Sequence, residues 1–297
     1  MLRVLIVLFC CLSRPLCAEV VDDLTHFLPT NEMHVHWIFS GVVASEQGEQ
    51  YGYFFQMERE GRVFHSMAAL FDAQTKALVF QDESRAELDD DHVLPYHWQV
   101  GHSFLRFNPM NDSWVFGVKK PTQEGFNFKI DMLNQPNHVP MEEGLCPDMS
   151  VIVSQTNALN GHIWLEKSKH EEFVMAKHAW FRQMWTTRTD ASNVLHSVSG
   201  VLCHFDDDSG FYSVNLAAPD AIRGAMTGQF DAKGMPVEMS QFIRIKQSSE
   251  GPWEIDVPSP QLRVVLPDVM KQNSVAAGFS TGGLGFCVMS DDHLGHA

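Results

Sequence analysis

Residues 126–132 read FNFKIDM, and in this stretch apolar and polar side chains alternate one by one. Such a period of two places successive side chains on opposite faces of a β-strand, so that one face packs on a core and the other meets water. The same alternation occurs in YGYFFQM at 51–57 and in QLRVVL at 261–266. These segments predict half-buried antiparallel strands.

Short polar sequences rich in glycine and acidic residues separate the alternating segments, as in SEQGEQ at 45–50, DDDSG at 206–210 and DAKG at 231–234. Such clusters are typical of turns, and few stretches carry a helical period. Strands joined by short turns favour an all-β sandwich or barrel. A chain of 297 residues exceeds the usual single domain, and the polar segment 188–193 is the best candidate for a junction.

The first eighteen residues predict a secretory signal peptide, with Arg3, an apolar run over 4–12 and small residues before Glu19. The domain assignment is therefore a signal at 1–18, one β-domain at 19–190 and a second at 191–297. We expect an exported protein, periplasmic or extracellular. After signal cleavage no segment offers about eighteen uninterrupted apolar residues, so no transmembrane helix is expected.

The formal net charge of −16 argues against a nucleic-acid partner, because an acidic chain repels phosphate backbones. Three cysteines follow the signal, at positions 146, 203 and 287. They can form at most one disulfide bond, and their spacing matches no zinc site. Unpaired thiols are the favoured interpretation.

Gly278-Phe279-Ser280-Thr281-Gly282 is a literal G-x-S-x-G. A nucleophile elbow needs a helix after the serine and catalytic Asp and His residues much later in the chain. More glycines follow at once and few residues remain, so a hairpin turn is favoured. The acidic runs at 89–91 and 206–208 have no calcium-loop spacing and are interpreted as solvated turns.

His34 and His36 would point to one face of a strand, where they could chelate a metal if a third ligand such as His65 joined them. The wall of a polar pocket or an exposed edge is favoured instead, and neither a metal nor another cofactor is expected. The stretch KHAWFRQMW at 177–185 is rich in aromatic residues, which would line an apolar ligand cavity or fill a core.

The order of several segments resembles the AttH-like, carotenoid 1,2-hydratase (hydroxyneurosporene synthase) family. They are HVHWIFSGVVASEQGEQYGYFFQMERE at 34–60, FHSMAALFD at 64–72, HAWFRQMW at 178–185 and the long segment from GVLCHF to DAKG at 200–234. The resemblance covers about residues 30–290 and implies two consecutive lipocalin-like domains. Barrels of this kind suit a long apolar ligand.

The resemblance also exposes a departure at Arg182, where the family typically has an aspartate suited to protonate a double bond. Arginine cannot donate a proton at ordinary pH, so that role would fall to Glu166 or Asp190. The candidate ligand-binding residues are Trp37, Tyr53, Trp164, Trp180, Arg182 and Trp185.

Three hypotheses for function follow. The first is an exported lipocalin-like protein that binds a hydrophobic or amphipathic small molecule, with an oligomeric state that the sequence does not fix. The second is a hydratase, isomerase or hydrolase for a lipid-like substrate, with His34, His36 or His178 as acid or base. The third is an interaction protein that uses its sheet edges. Convergence of the two strand histidines and Arg182 around a cavity would favour catalysis.

Overall fold

The computed structural model describes residues 34–88, 96–132, 139–140, 149–156, 158–166, 170–186, 196–218, 221–237, 243–247, 252–259, 261–266, 271–272, 275–280 and 285–294. The predicted signal peptide, the acidic run at 89–91 and Cys146 lie outside these residues. The regular elements of the described part are β-strands, and none of its segments is a helix long and apolar enough to cross a membrane. The prediction of an all-β, lipocalin-like protein is confirmed.

The described strands up to residue 186 form one large antiparallel sheet of thirteen strands, which is called the first domain below. Its strands are β1 (His34–Ser45), β2 (Gln50–Glu60), β3 (Val63–Asp72), β4 (Leu78–Glu87), β5 (His97–Val100), β6 (Ser103–Asn108), β7 (Ser113–Lys119), β8 (Gly125–Asp131), β9 (Val139–Pro140), β10 (Met149–Thr156), β11 (Leu159–Trp164), β12 (Glu171–Ala176) and β13 (Ala179–Thr186).

This sheet curls into a nearly closed barrel. Its main order is β4-β3-β2-β1-β12-β11-β8-β7-β6-β5, and β13 pairs with the first half of β1 and with β10. The end strands β4 and β5 both contribute to one interior, because Phe80 and Trp98 belong to the same buried cluster. The barrel therefore has a seam between β4 and β5.

The alternation predicted from the sequence decides which side chains fill the barrel. Tyr51, Tyr53, Phe55 and Met57 of β2 all point inward, and so do the apolar residues of the 126–132 segment. Aromatic rings pack at short distances in this interior, as the stacked rings of Phe39 and Phe116 show at 4.2 Å between centroids. Burial of such rings supplies much of the stability of a β-barrel core.

The described strands from residue 196 onward are called the second domain below. They form a seven-stranded sheet, ordered β17-β16-β15-β14-β23-β22-β21, and a three-stranded sheet, ordered β18-β19-β20. The strands are β14 (His196–His204), β15 (Gly210–Ala218), β16 (Ala221–Phe230), β17 (Pro236–Val237), β18 (Arg244–Gln247), β19 (Trp253–Pro258), β20 (Gln261–Leu266), β21 (Lys271–Gln272), β22 (Val275–Phe279) and β23 (Phe286–Leu294).

A disulfide bond joins Cys203 of β14 to Cys287 of β23 inside this second domain. The two residues are direct partners in the antiparallel register, and both are fully buried between the two sheets. The favoured interpretation of unpaired thiols is therefore wrong for these two cysteines. Because 84 residues separate them, only the strand pairing reveals that they meet.

The two domains share an apolar interface, since the outer face of β1, β2, β3 and β13 packs on the outer face of the seven-stranded sheet. The indole of Trp180 contacts the rings of Tyr212 and Phe230, and its Nε1 donates a 2.8 Å hydrogen bond to the carbonyl oxygen of Cys203. Gly52 leaves room for the ring of Phe286. The central strands of the first domain are therefore buried on both faces.

The junction predicted between residues 190 and 191 falls in 187–195, outside the described residues, and it stays a prediction. The strands that end by residue 186 belong to the first sheet, and those that begin at residue 196 belong to the second and third.

Polar contacts between turns add to the interface. The Nζ atom of Lys177 lies 2.9 Å from Oδ2 of Asp208, and Lys76 donates a 2.9 Å hydrogen bond to the carbonyl oxygen of Ser280. His178 is buried, and its two ring nitrogens each lie 3.3 Å from a carbonyl oxygen, that of Thr156 in the first domain and that of Ala232 in the second.

Replacing Trp180 by alanine should destabilise the whole protein, because the change removes an indole that is buried between the domains together with its hydrogen bond. We expect the free energy of unfolding in urea to fall by about 3–5 kcal/mol. The matched control is Trp164→Ala, at a half-buried position on β11. A loss of no more than about 1 kcal/mol for Trp180→Ala would contradict the role of this side chain in the interface.

His204 should make stability depend on pH. Burial lowers its pKa to about 4, and nearby His178 acts in the same direction, whereas Asp208 and Asp207 oppose the shift. The unfolded chain binds a proton near pH 6.5, so the stabilisation is complete above that pH and is lost as the pH falls toward 4.

Because of this residue, we expect the free energy of unfolding to fall by about 2 kcal/mol when the pH is lowered from 7.5 to 5. The measurement is urea unfolding at both pH values, for the natural protein and for His204→Gln. If both proteins show the same pH dependence, His204 is not its source.

Candidate functional site

A row of ionisable side chains crosses the outer face of the first sheet, just beyond the apolar interface with the second domain. In the strand register His36 lies opposite Glu58, Glu58 opposite His65, and His65 opposite Arg85. Directly opposite residues point to the same face with about 5 Å between their Cβ atoms. Four neighbouring strands, β1 to β4, therefore bring their polar side chains together.

Two carboxylates flank the imidazole of His65. Its Nε2 lies 2.8 Å from Oε1 of Glu83, and its Nδ1 lies 4.0 Å from Oε2 of Glu58. The other carboxylate oxygen of Glu58 lies 3.5 Å from Nε2 of His34. At 23% exposure the imidazole is reachable from solvent while its orientation is fixed by Glu83. Ion pairs this exposed contribute little to stability, on the order of 0–1 kcal/mol each.

These side chains open onto a cleft of about 490 Å³. Among the described residues Val63 is the one aliphatic side chain in its lining, which otherwise consists of Glu58, Glu60, His65, Glu83, Ser84 and Arg85. Three carboxylates against one guanidinium give the cleft an acidic character. It therefore suits a neutral or cationic guest better than an anion.

Two further residues that the sequence singled out lie beside the cleft, at its buried side. Arg182 and His36 are almost fully buried, and Nη2 of Arg182 lies 3.5 Å from Nδ1 of His36. Since a guanidinium can only donate, Nδ1 can take part in this pair only as the acceptor. The guanidinium also reaches the second domain, where a Cβ atom on Gly200 would collide with it.

The predicted ligand-binding aromatics divide among the barrel core, the domain interface and strand β11. Trp37 and Tyr53 point into the first barrel, and Trp180 is held in the domain interface. Trp185 is half-buried against the barrel core, and Trp164 is half-buried on β11. By contrast, the structure does place His34, His36 and Arg182 on one face of the sheet.

Two acids were proposed to replace the family's aspartate. One of them, Glu166, is exposed and follows strand β11. That strand pairs with β8 and β12 and not with β13, the strand that carries Arg182. Asp190 lies outside the described residues. His178, the third catalytic candidate, lies on the turn before β13, away from the cleft lining. The described residues contain no group of three His, Cys, Asp or Glu side chains placed to hold a metal ion.

The hairpin interpretation of the G-x-S-x-G stretch is confirmed. Strands β22 and β23 pair antiparallel on either side of it, and the amide of Ser280 donates a 2.8 Å hydrogen bond to the carbonyl oxygen of Gly285. The acidic run at 206–208 forms a turn, in which a hydrogen bond from the Ser209 hydroxyl is the main cause that lowers the pKa of Asp207. The interpretation of this run as a solvated turn is confirmed as well.

Sequence reasoning missed Glu58 and Glu83. In β2 the side chains alternate between the two faces from Tyr51 onward, and Glu58 follows the inward-pointing Met57. Its position on the outer face could therefore have been predicted. Its neighbours could not, because they come from β3 and β4 and depend on the register of strand pairing.

No family model matches the sequence, and no curated protein resembles it significantly. Several solved structures are similar to it. A candidate AttH protein from Nitrosomonas europaea superimposes with a TM-score of 0.60 over 89% of this chain and 95% of its own, at 12% identity. Kievitone hydratase from Nectria haematococca gives 0.53 over 89% of this chain and 90% of its own, at 10% identity. CghA, in complex with Sch210972, gives 0.52 over 89% of both chains, also at 10% identity.

These similarities establish the fold of the chain, which is that of the AttH-like and hydratase-related lipocalin-like proteins. The resemblance read from the sequence is confirmed at this level.

Proposed function

We propose that this protein binds a small organic molecule in the cleft beside the domain interface and catalyses proton transfer on it, as a hydratase or an isomerase does. The observation that carries the proposal is the position of His65 between Glu58 and Glu83 on the wall of a 490 Å³ cleft. The similarity in fold to kievitone hydratase supports the same class of reaction.

The chemistry of hydration explains why this set of side chains is suitable. Adding water to a double bond requires one proton delivered to a carbon and another removed from the attacking water. The π bond is replaced by one C–H and one C–O bond, and no redox partner is needed. Glu83 orients His65 as the acid, and Glu58, on the same wall, serves as the base that accepts the proton of water.

The lining of the cleft also bears on the substrate. A carrier of a hydrophobic molecule needs a mostly apolar cavity with few polar groups. This cleft has the reverse composition, so the acid–base function is better supported there than storage of a lipid. Its excess of carboxylates favours a neutral or cationic substrate that carries an activated double bond.

The disulfide bond supports export as part of the proposal. Such bonds persist in oxidising compartments and are rare in reducing ones. Cys203 and Cys287 therefore agree with the periplasmic or extracellular location expected from residues 1–18.

The proposed reaction predicts incorporation of solvent isotope into a substrate. The full chain is incubated in H₂¹⁸O and, separately, in D₂O, with kievitone and a set of neutral enones and isoprenoid alkenes, and the products are analysed by mass spectrometry. Rates for His65→Gln and Glu83→Gln should fall about 10²–10⁴-fold, because each change removes the positioned proton donor or its partner.

His102→Gln is the matched control, because His102 is an exposed histidine close to Asp82 and outside the cleft lining. The control should keep the natural rate. The proposal fails if the natural protein labels none of the compounds, or if the His65 and Glu83 variants label them as fast as the control does.

A further inference from the structure

Two charged side chains in the lining of the cleft have no part in the proposed proton transfer. They are Glu60 of β2 and Arg85 of β4, and both are exposed. Neither side chain has a hydrogen-bond or ion-pair partner among the described residues, although charges of the opposite sign line the same cleft. A guanidinium stays charged at any ordinary pH, and its fork of N–H groups matches a carboxylate. Both charges are therefore available to a guest.

The strand register places these two charges on opposite sides of the cleft. Arg85 lies directly opposite His65 of β3, and His65 lies directly opposite Glu58 of β2. Glu60 lies two residues beyond Glu58 on the same face of β2, opposite Val63. Directly opposite residues have about 5 Å between their Cβ atoms, so Arg85 and Glu60 flank the proposed acid across three strands. A guest that reaches both charges passes over His65 and Val63.

The balance of charge determines which guest can use both side chains. A simple carboxylate is attracted by Arg85 but repelled by Glu58, Glu60 and Glu83, which line the same cleft. A simple cation is attracted by the carboxylates but leaves Arg85 without a partner. A zwitterion pairs its carboxylate with Arg85 and its cationic group with Glu60, and its net charge is zero. The lining therefore favours a zwitterion over either kind of ion.

We propose that the substrate of the cleft is a zwitterion whose double bond lies between a carboxylate and an ammonium group, that is, a 4-ammonio-2-enoate. This inference rests on the proposed function and names the class of molecule on which it acts. The guanidinium of Arg85 binds the carboxylate of the substrate, and the carboxylate of Glu60 binds the ammonium group. The aliphatic side chain of Val63 lies beneath the carbon chain between them.

The order of the residues also fixes the direction in which water adds. The row begins at Arg85, continues with His65 and ends with Glu58. A substrate whose carboxylate is bound by Arg85 brings its α-carbon next to His65 and its β-carbon toward Glu58. Water bonds through its oxygen to the β-carbon and loses one proton to Glu58, while His65 delivers a proton to the α-carbon.

The step balances without a redox partner. The π bond is replaced by a C–H bond at the α-carbon and a C–O bond at the β-carbon, and solvent carries the proton from Glu58 back to His65. Negative charge develops on the substrate carboxylate during the addition. Because Arg85 already faces that group, its guanidinium stabilises the transition state.

Three probes separate the two charges. The zwitterion 4-(trimethylammonio)but-2-enoate carries both, but-2-enoate lacks the cation, and but-2-enyltrimethylammonium lacks the carboxylate. Their binding to the full chain is measured by isothermal titration calorimetry. We expect the affinity for the zwitterion to be at least about tenfold higher than for either fragment, because each fragment loses one charge-assisted contact. Equal affinity for the three probes would overturn the proposal.

Two substitutions test the assignment of the charges. Arg85→Gln should weaken binding of the zwitterion about tenfold or more without weakening the cationic fragment, and Glu60→Gln should do the same without weakening but-2-enoate. The matched controls are Arg106→Gln on β6 and Glu171→Gln on β12, which are exposed and outside the cleft lining, and they should bind like the natural protein. Variants of Arg85 and Glu60 that bind the zwitterion as tightly as the controls would contradict the assignment.

Isotope labelling of the zwitterion distinguishes this inference from the proposed function. Deuterium from D₂O should enter at the α-carbon and ¹⁸O from H₂¹⁸O at the β-carbon, as read by NMR and mass spectrometry. If neutral enones are labelled while the zwitterion is not bound, the inference fails and the proposed function stands. If the zwitterion binds with the expected dependence on Arg85 and Glu60 but no compound is labelled, the proposed function fails and the assignment of the two charges stands.

Discussion

The structure depends on the burial of its central strands on both faces. Strands β1, β2 and β13 turn one set of side chains into the barrel, and their outer side chains pack on the second domain. A strand in this position can be apolar on both faces and need not alternate between apolar and polar residues. Trp37-Ile38-Phe39 is accordingly an uninterrupted apolar run, in which successive residues belong to two different cores.

The same constraint explains where polar chemistry is possible. Along β3, Phe71 and Ala69 are covered by the second domain, and the outer face reaches the open cleft only at His65 and Val63. A polar residue under the second domain must find its partners in the interface, as Arg182 does with His36. A polar residue beyond the edge of the interface remains reachable by a small molecule. The boundary of the apolar contact therefore determines where the site can lie.

Much of the fold could be predicted from the sequence because it rests on local patterns. Alternation at 51–57 and 126–132 assigned the inward faces correctly, and the glycines after Ser280 predicted a hairpin. What could not be predicted depends on pairing between distant strands. Glu58, His65 and Glu83 meet only in the register of β2, β3 and β4, and Cys203 meets Cys287 only when β14 pairs with β23. The aromatic stretch 180–185 shows the same dependence on strand pairing, since its residues divide between the barrel interior and the domain interface.

The departure at Arg182 becomes intelligible in this setting. The sequence resemblance directs attention to an acid on β13, yet the structure places the arginine there in a fully buried contact with His36 and against Gly200 of the second domain. The available acids lie instead two to four strands away, on β2 and β4, where the face is open. A proton donor must reach both solvent and substrate, and on this face the partly exposed side chains of Glu58 and Glu83 meet that condition, whereas the buried position 182 does not.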